Sequence, residues 1–171
     1  MASSVPVVGD CRAHPSDTAR NIGVVFDQNL SLDKHVNSIG KSVLFHLRNI
    51  VKVKEYLTFK STKALVHAFV TRRLDNCNSL LTGSPTCLII KLQRIQNCAA
   101  RLVVQQRRVA HQSPILKALH WLPVDMQIVF KVLLLTYKAI NNLAPSYITQ
   151  LLVRYNQPRS LRQGTSEILR R

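Results

Sequence analysis

The stretch "HWLPVDMQIVFKVLLLTYKAI", residues 120–140, carries the strongest structural signal in the sequence. Between 126 and 140, apolar side chains surround nearly the whole predicted helix, with Lys131 and Lys138 among the few polar exceptions. A helix that is apolar all round is typical of a protein interior, so we predict a central buried helix. No membrane span is predicted, because the lysines interrupt a run that already falls short of the ~20 apolar residues a span needs.

Working outward from this helix, apolar residues recur at helical spacing along most of the remaining chain. Each of these segments opens on a residue that favours a helix start, such as Ser31, Ser61, Pro85 or the pair Ser113–Pro114. The predicted helices cover 31–53, 61–83, 86–104, 113–119 and part of 143–155.

Only one β-rich run interrupts this pattern, "NIGVVFD" at 21–27. We therefore predict a mainly α fold, a bundle of five to six helices with one short N-terminal β-strand. Residues 1–30 would hold a disordered start and this strand, 31–155 the helical domain, and 156–171 a basic flexible tail.

The charge balance points to a polyanionic partner. The 24 lysines and arginines face only 8 aspartates and glutamates, which gives a formal net charge of +16. A charge this large repels itself unless anions surround it. Nucleic acid is the favoured partner, and an anionic membrane surface bound by the first helix is the weaker alternative.

The sequence offers little for catalysis. Its acidic residues form no obvious metal-binding pair, and its histidines lie in no nucleophile motif. Glycine-rich phosphate loops are also missing, and the four cysteines lack zinc-finger spacing. We expect no cofactor and no small-molecule substrate, reduced thiols, and an intracellular location in either the nucleus or the cytoplasm.

Two rows of cations are the candidate binding residues. On the first helix, four of them share one narrow stripe opposite the apolar face, and Phe45 projects from the middle of that stripe. Such a row suits a phosphate backbone, and Phe45 suits base stacking, although a solvated face and a contact with a neighbouring segment are the alternatives. These residues are Lys34, Lys41, Phe45, Arg48 and Lys52.

The second row lies on the helix after Pro85, where Arg94 and Arg101 are seven residues apart and opposite the apolar stripe. Arg107 and Arg108 extend this row into a basic loop. Binding through these cations would be sensitive to salt and tolerant of sequence, while an ordinary solvated face is again the alternative.

Two further details concern architecture. Arg73 lies among apolar residues of the second helix, so we expect it to be partly buried and paired with Asp75. His120 and Trp121 stand between two helices, where packing and hydrogen bonding at a corner is the favoured role.

Four motifs occur here in an order that resembles the reverse transcriptases of jockey-type non-LTR retrotransposons. They are "RNIGVVFDQNLSLDKHV", "LVHAFVTRRLDNCNSLLTG", "KLQRIQNCAARLV" and "LHWLPV…IVFKVLLLTYKAI…LAPSY". The resemblance covers about 19–163, and it implies that the strand closes the palm while the helices form the thumb.

The same resemblance implies RNA-templated DNA synthesis as the family's activity, with magnesium bound in the intact polymerase. The catalytic aromatic-x-Asp-Asp motif and its upstream aspartate would precede Ile22 and are not found in this sequence. Departures from the family occur at Asn76, Gln127 and Asn142, where tyrosine, arginine and glycine are usual.

The expected function is therefore that of a non-catalytic C-terminal fragment of such a polymerase. Its thumb-like helices would hold the backbone of RNA or an RNA–DNA hybrid, and the missing palm would be its protein partner. The alternative is a helical protein-interaction module, or an inert remnant without a nucleic-acid role.

Overall fold

The computed structural model describes residues 7–8, 11–12, 16–105, 112–155 and 168–170, and the fold is mainly α, as predicted. Within these ranges the strands pair as three small antiparallel ladders. The helices are α1 (Asp33–Val53), α2 (Phe59–Val66), α3 (Arg72–Asp75), α4 (Thr86–Val104), α5 (Gln112–Leu119), α6 (Val124–Ile140) and α7 (Ser146–Thr149). The strands are β1 (Val7–Val8), β2 (Cys11–Arg12), β3 (Thr18–Asn21), β4 (Val24–Asp27), β5 (Val153–Tyr155) and β6 (Ile168–Arg170).

The strand predicted near 21–27 is β4, and it is half of a hairpin rather than a single strand. Its partner β3 lies in the part of the chain expected to be disordered. Ile22 and Gly23 connect the two strands, and both have positive φ, as in the two-residue turns that match the twist of a hairpin. Isoleucine is a poor indicator of such a turn, which is why the sequence did not predict β3.

The same hairpin leads directly into α1. The Asp27 carboxylate accepts hydrogen bonds from the Ser31 backbone N–H at 2.7 Å and from the Ser31 hydroxyl at 2.6 Å. These bonds, the largest cause, lower the pKa of Asp27. Ser31 therefore ties the turn together, and Leu32, with a left-handed backbone, occupies the N-cap position expected for Ser31.

The second predicted helix is continuous from α2 into α3 but contains a π-helical turn, His67–Thr71. Its buried residues Thr62, Val66, Val70 and Leu74 are four apart. A regular α-helix has 3.6 residues per turn, so this stripe would drift away from the core by about 40° at each step. The wider π turn takes up part of that drift and keeps Leu74 in the core.

Helix α4 lies at the centre of the bundle and contacts α1, α2, α5 and α6. Its apolar stripe is buried as predicted, including Leu88, Leu92 and Ala99. Gly40 of α1 lies at this contact, where a Cβ would meet Ile95 Cδ1 at 3.4 Å, close to an ordinary van der Waals distance. The α1–α4 pair is therefore the core around which the other helices pack.

The prediction that the helix at 126–140 is central and buried is wrong. Only Val124, Ile128 and Ala139 of α6 are buried. Because α4 already occupies the centre, α6 packs with one side against α4 and the short turn Asn78–Leu81. Its other sides expose large apolar side chains, namely Met126, Val129, Phe130, Leu133, Leu135 and Tyr137.

The corner between α5 and α6 is held by hydrogen bonds from α4. The Val124 N–H donates to Gln93 Oε1 at 2.8 Å, and Gln96 Nε2 donates to the Leu122 carbonyl at 2.8 Å. His120 has a left-handed backbone at the end of α5, and Trp121 packs half-buried against the core. The predicted architectural role of His120 and Trp121 agrees with this geometry.

At the C-terminal end, β6 pairs with β5, so this short part of the predicted flexible tail has a described backbone partner. Residues 156–167 and 171, the rest of that tail, lie outside the described residues.

Two glycines allow a matched test of the backbone. Gly40 is inside α1, so Gly40→Ala should raise the free energy of unfolding by roughly 0.5–1 kcal/mol through helix propensity. Gly83 has a φ of +78°, so Gly83→Ala should lower it by about 1 kcal/mol, although its Cβ would meet no atom within 4 Å. Urea unfolding measures both, and a destabilised Gly40→Ala would mean that Ile95 cannot shift.

Candidate nucleic-acid interface

The predicted row on α1 is exposed along its whole length. Lys34, Lys41, Arg48 and Lys52 all face solvent. The opposite face of the helix, which includes Val43, is buried. Burial of that apolar face in the core therefore directs the cations outward.

These cations are largely uncompensated. Among the described residues, Lys41, Arg48 and Lys52 form no ion pair with a carboxylate. Lys34 lies near Asp27, and its charge is a smaller cause of the lowered pKa of that carboxyl group. Apart from Lys34, the row therefore presents positive charge that no described carboxylate pairs with.

Phe45 lies in this row and is 61% exposed. Its ring meets the edge of His46 at a centroid distance of 5.5 Å, and His46 stacks on Phe69 of the π turn at 4.9 Å. The contact with a neighbouring segment is thus made by His46. Phe45 keeps more than half of its surface exposed among the cations, where a base can stack.

The second row is partly as predicted. Arg94 is exposed on α4, while Arg101 is half-buried and lies with Nη2 at 3.8 Å from Cys98 Sγ. Arg107 and Arg108 lie outside the described residues. Helices α1 and α4 pack against each other, so Arg94 lies on the helix next to the α1 row and opposite the buried stripe of α4.

Three arginines of a nearby cleft were missed by the sequence analysis. Arg20 of β3 and Arg72 and Arg73 of α3 line one cleft of about 310 Å³ beside α1. Arg73 is exposed there, so the expected buried pair with Asp75 does not form. No local pattern connects β3 with α3, and only the fold brings these cations together.

Asp75 instead lines a separate cavity of about 400 Å³ together with His67, Trp121 and Lys131. Burial raises the pKa of its carboxyl group, while the charges of Lys131 and His67 act in the opposite direction. Asp75 is the one carboxylate in this lining, which also includes His67 and His120.

No group of three His, Cys, Asp or Glu side chains in the described ranges is close enough together to hold a metal ion. No single helix there is long and apolar enough to cross a membrane. Helices α5 and α6, which meet at a bend of 43°, together have the length and apolar composition of a broken membrane span. Neither a family model, nor a curated protein, nor a solved structure matches the chain.

His35 of α1 provides a pH test of this region. It is 4% exposed, its Nδ1 accepts a hydrogen bond from the Val25 N–H at 3.4 Å, and burial lowers its pKa below 6.5. As pH decreases, His35 of the unfolded chain takes up a proton before the buried ring of the folded chain does. The free energy of unfolding should therefore fall as pH is lowered from about 7 to about 5.

His35→Gln should flatten this pH dependence while leaving that of Asp75 in place. The raised pKa of Asp75 acts with the opposite sign, because it stabilises the fold at low pH and the effect is lost as pH rises. The difference between the unfolding curves of wild type and His35→Gln therefore isolates His35. Parallel curves across this range would show that the ring is not kept neutral by burial.

Proposed function

We propose that this chain is the thumb-like part of a non-LTR retrotransposon reverse transcriptase and that it binds the backbone of RNA or an RNA–DNA hybrid. The observation that carries the proposal is the exposed cationic row on α1 together with Arg94 on α4, because Lys41, Arg48, Lys52 and Arg94 form no ion pair with a described carboxylate. The order of sequence motifs supports the family, and the mainly α fold agrees with a thumb.

The mode of binding follows from the chemistry of these rows. Lysines and arginines that neutralise phosphates release condensed counterions, so affinity depends steeply on salt and little on sequence. The exposed ring of Phe45 adds a surface on which any base can stack. The rows thus fit a backbone grip, in which sequence is read elsewhere or not at all.

In this proposal the chain does not itself perform polymerisation. The metal-binding aspartates of the family belong to the palm, and the described carboxylates here do not come together as a magnesium site. The chain's own contribution is to hold the nucleic acid behind a catalytic centre that another domain supplies.

Removal of four row cations tests the grip. Replacing Lys41, Arg48, Arg94 and Arg101 with glutamine should weaken binding of a labelled RNA–DNA hybrid and flatten the dependence of log affinity on log salt. Each lost phosphate contact reduces the slope by about 0.9, measured by fluorescence anisotropy at roughly 50–300 mM salt.

A matched variant removes the same charge from other elements. Lys60 and Lys63 of α2, Lys117 of α5 and Lys138 of α6 lie outside the rows, and their replacement with glutamine also lowers the formal charge by four. Only the row variant should lose most of the slope. Equal losses in both folded variants would indicate non-specific attraction by net charge and would contradict a localised grip.

A second candidate function is protein interaction, and the exposed apolar sides of α6 favour it. Here α6 would bind the palm, the domain that the resemblance places before the thumb. Such a contact covers apolar surface that this chain leaves open to water.

Leu133, which is 62% exposed, allows a direct test of this contact. Leu133→Glu should abolish a one-to-one complex with a separately expressed palm domain of a jockey-type reverse transcriptase, as measured by sedimentation. Leu151→Glu serves as the control, because Leu151 is also exposed but lies outside α6. Equal retention of the complex by both variants would exclude α6 as the contact.

A further inference from the structure

The cleft between the β3–β4 hairpin, α1 and α3 has the composition of an anion site. Arg20, Arg72 and Arg73 line it, together with Ser38, Ser42 and Asn76. Its lining includes no carboxylate, and its volume of about 310 Å³ is within the range of small-ligand pockets. Three positive charges therefore share one concave surface with uncharged hydrogen-bond donors.

The three guanidinium groups are free to bind. None of them makes a hydrogen bond or ion pair with another described residue. Like charges collected in a cleft repel one another, so an anion placed among them relieves that repulsion. Guanidinium groups also match the oxygens of a phosphate through paired N–H donors.

His35 supplies a second and independent observation. Its ring lines the cleft and is 96% buried, since only 4% of the residue is exposed. Because Nδ1 accepts from the Val25 N–H at 3.4 Å, the neutral ring carries its proton on Nε2. That Nε2–H has no hydrogen-bond partner among the described residues and is not fully enclosed by protein, so it remains accessible to a ligand.

Helix geometry and a glycine complete the walls. Ser38 and Ser42 are four residues apart on α1, so their hydroxyls project from the same side of the helix. Gly23 has a φ of +82°, and a Cβ there would lie only 3.3 Å from Asn76 Nδ2. The absence of a side chain at Gly23 thus lets the hairpin turn come close to the end of α3.

We propose that this cleft binds a phosphate group, held by the guanidinium groups of Arg20, Arg72 and Arg73 and by the Nε2–H of His35. Phosphate offers several negatively charged oxygens in a compact tetrahedron, which donors from the hairpin, α1 and α3 can approach from different sides. This site is separate from the row cations of α1 and α4 and does not depend on the proposed family.

The phosphate can come from a free anion, from a nucleic-acid terminus or from its backbone, and separate probes distinguish these sources. Inorganic phosphate and pyrophosphate, titrated calorimetrically into the full chain at constant ionic strength, report the isolated group. RNA oligonucleotides with a 5′-phosphate or a 5′-hydroxyl report the terminus and the backbone. Preference for the 5′-phosphate would assign the terminus, and equal binding would assign the backbone.

The variant Arg72→Gln/Arg73→Gln should weaken phosphate binding by roughly tenfold or more, because charge-assisted hydrogen bonds are lost. Lys60→Gln/Lys63→Gln on α2 removes the same charge and should leave affinity nearly unchanged. Arg20→Gln, on the hairpin, repeats the test from a different element and guards against a folding defect in α3. Circular dichroism verifies the fold of each variant.

The proposal is overturned if folded wild-type chain binds none of these phosphate probes, or if the cleft and control variants bind them equally. The row variant of α1 and α4 separates this site from the proposed function. If the row variant loses binding of the RNA–DNA hybrid but still binds pyrophosphate, both proposals are supported. Pyrophosphate binding that requires Arg72 and Arg73, without any hybrid binding, supports the cleft alone.

Discussion

The close packing of α1 against α4 is the constraint on which the rest of the structure depends. The apolar faces of both helices are buried along the contact, where Gly40 of α1 lies beside Ile95 of α4. A helix that buries one face in this way must turn its opposite face to solvent. The row cations of α1 and Arg94 of α4 are therefore exposed to solvent, whereas Arg101 is half-buried.

Helix α1 has three sides, and each lies in a different environment. Val43 and Leu47 face the core, Lys41 and Arg48 face solvent, and a third side, with His35, forms a wall of the arginine cleft. The bond from the Val25 N–H to His35 fixes the hairpin against this third side. The row and the cleft thus share one rigid element, although they use different donors.

Sequence periodicity predicted α1, α4 and the exposed position of the α1 cations well, because a narrow apolar stripe specifies both the buried and the exposed face. It misplaced α6, since hydrophobicity measures how apolar a helix is and not which neighbours are present to cover it. Sequence periodicity could not predict the cleft, because Arg20 and Arg73 belong to segments far apart in the chain. Asn142 has a left-handed φ of 55°, a conformation that glycine adopts without steric cost and that asparagine tolerates better than most residues.

The chain exposes two kinds of surface that no described residue covers, and they suit different partners. The cationic rows and the cleft need anions, whereas Phe130 and Leu133 of α6 need an apolar surface. Nucleic acid can neutralise the formal charge of +16 but does not cover α6, and a helical partner that covers α6 does not neutralise the rows. A thumb between a palm and a nucleic acid meets both needs at once, which favours that role over a single-partner module.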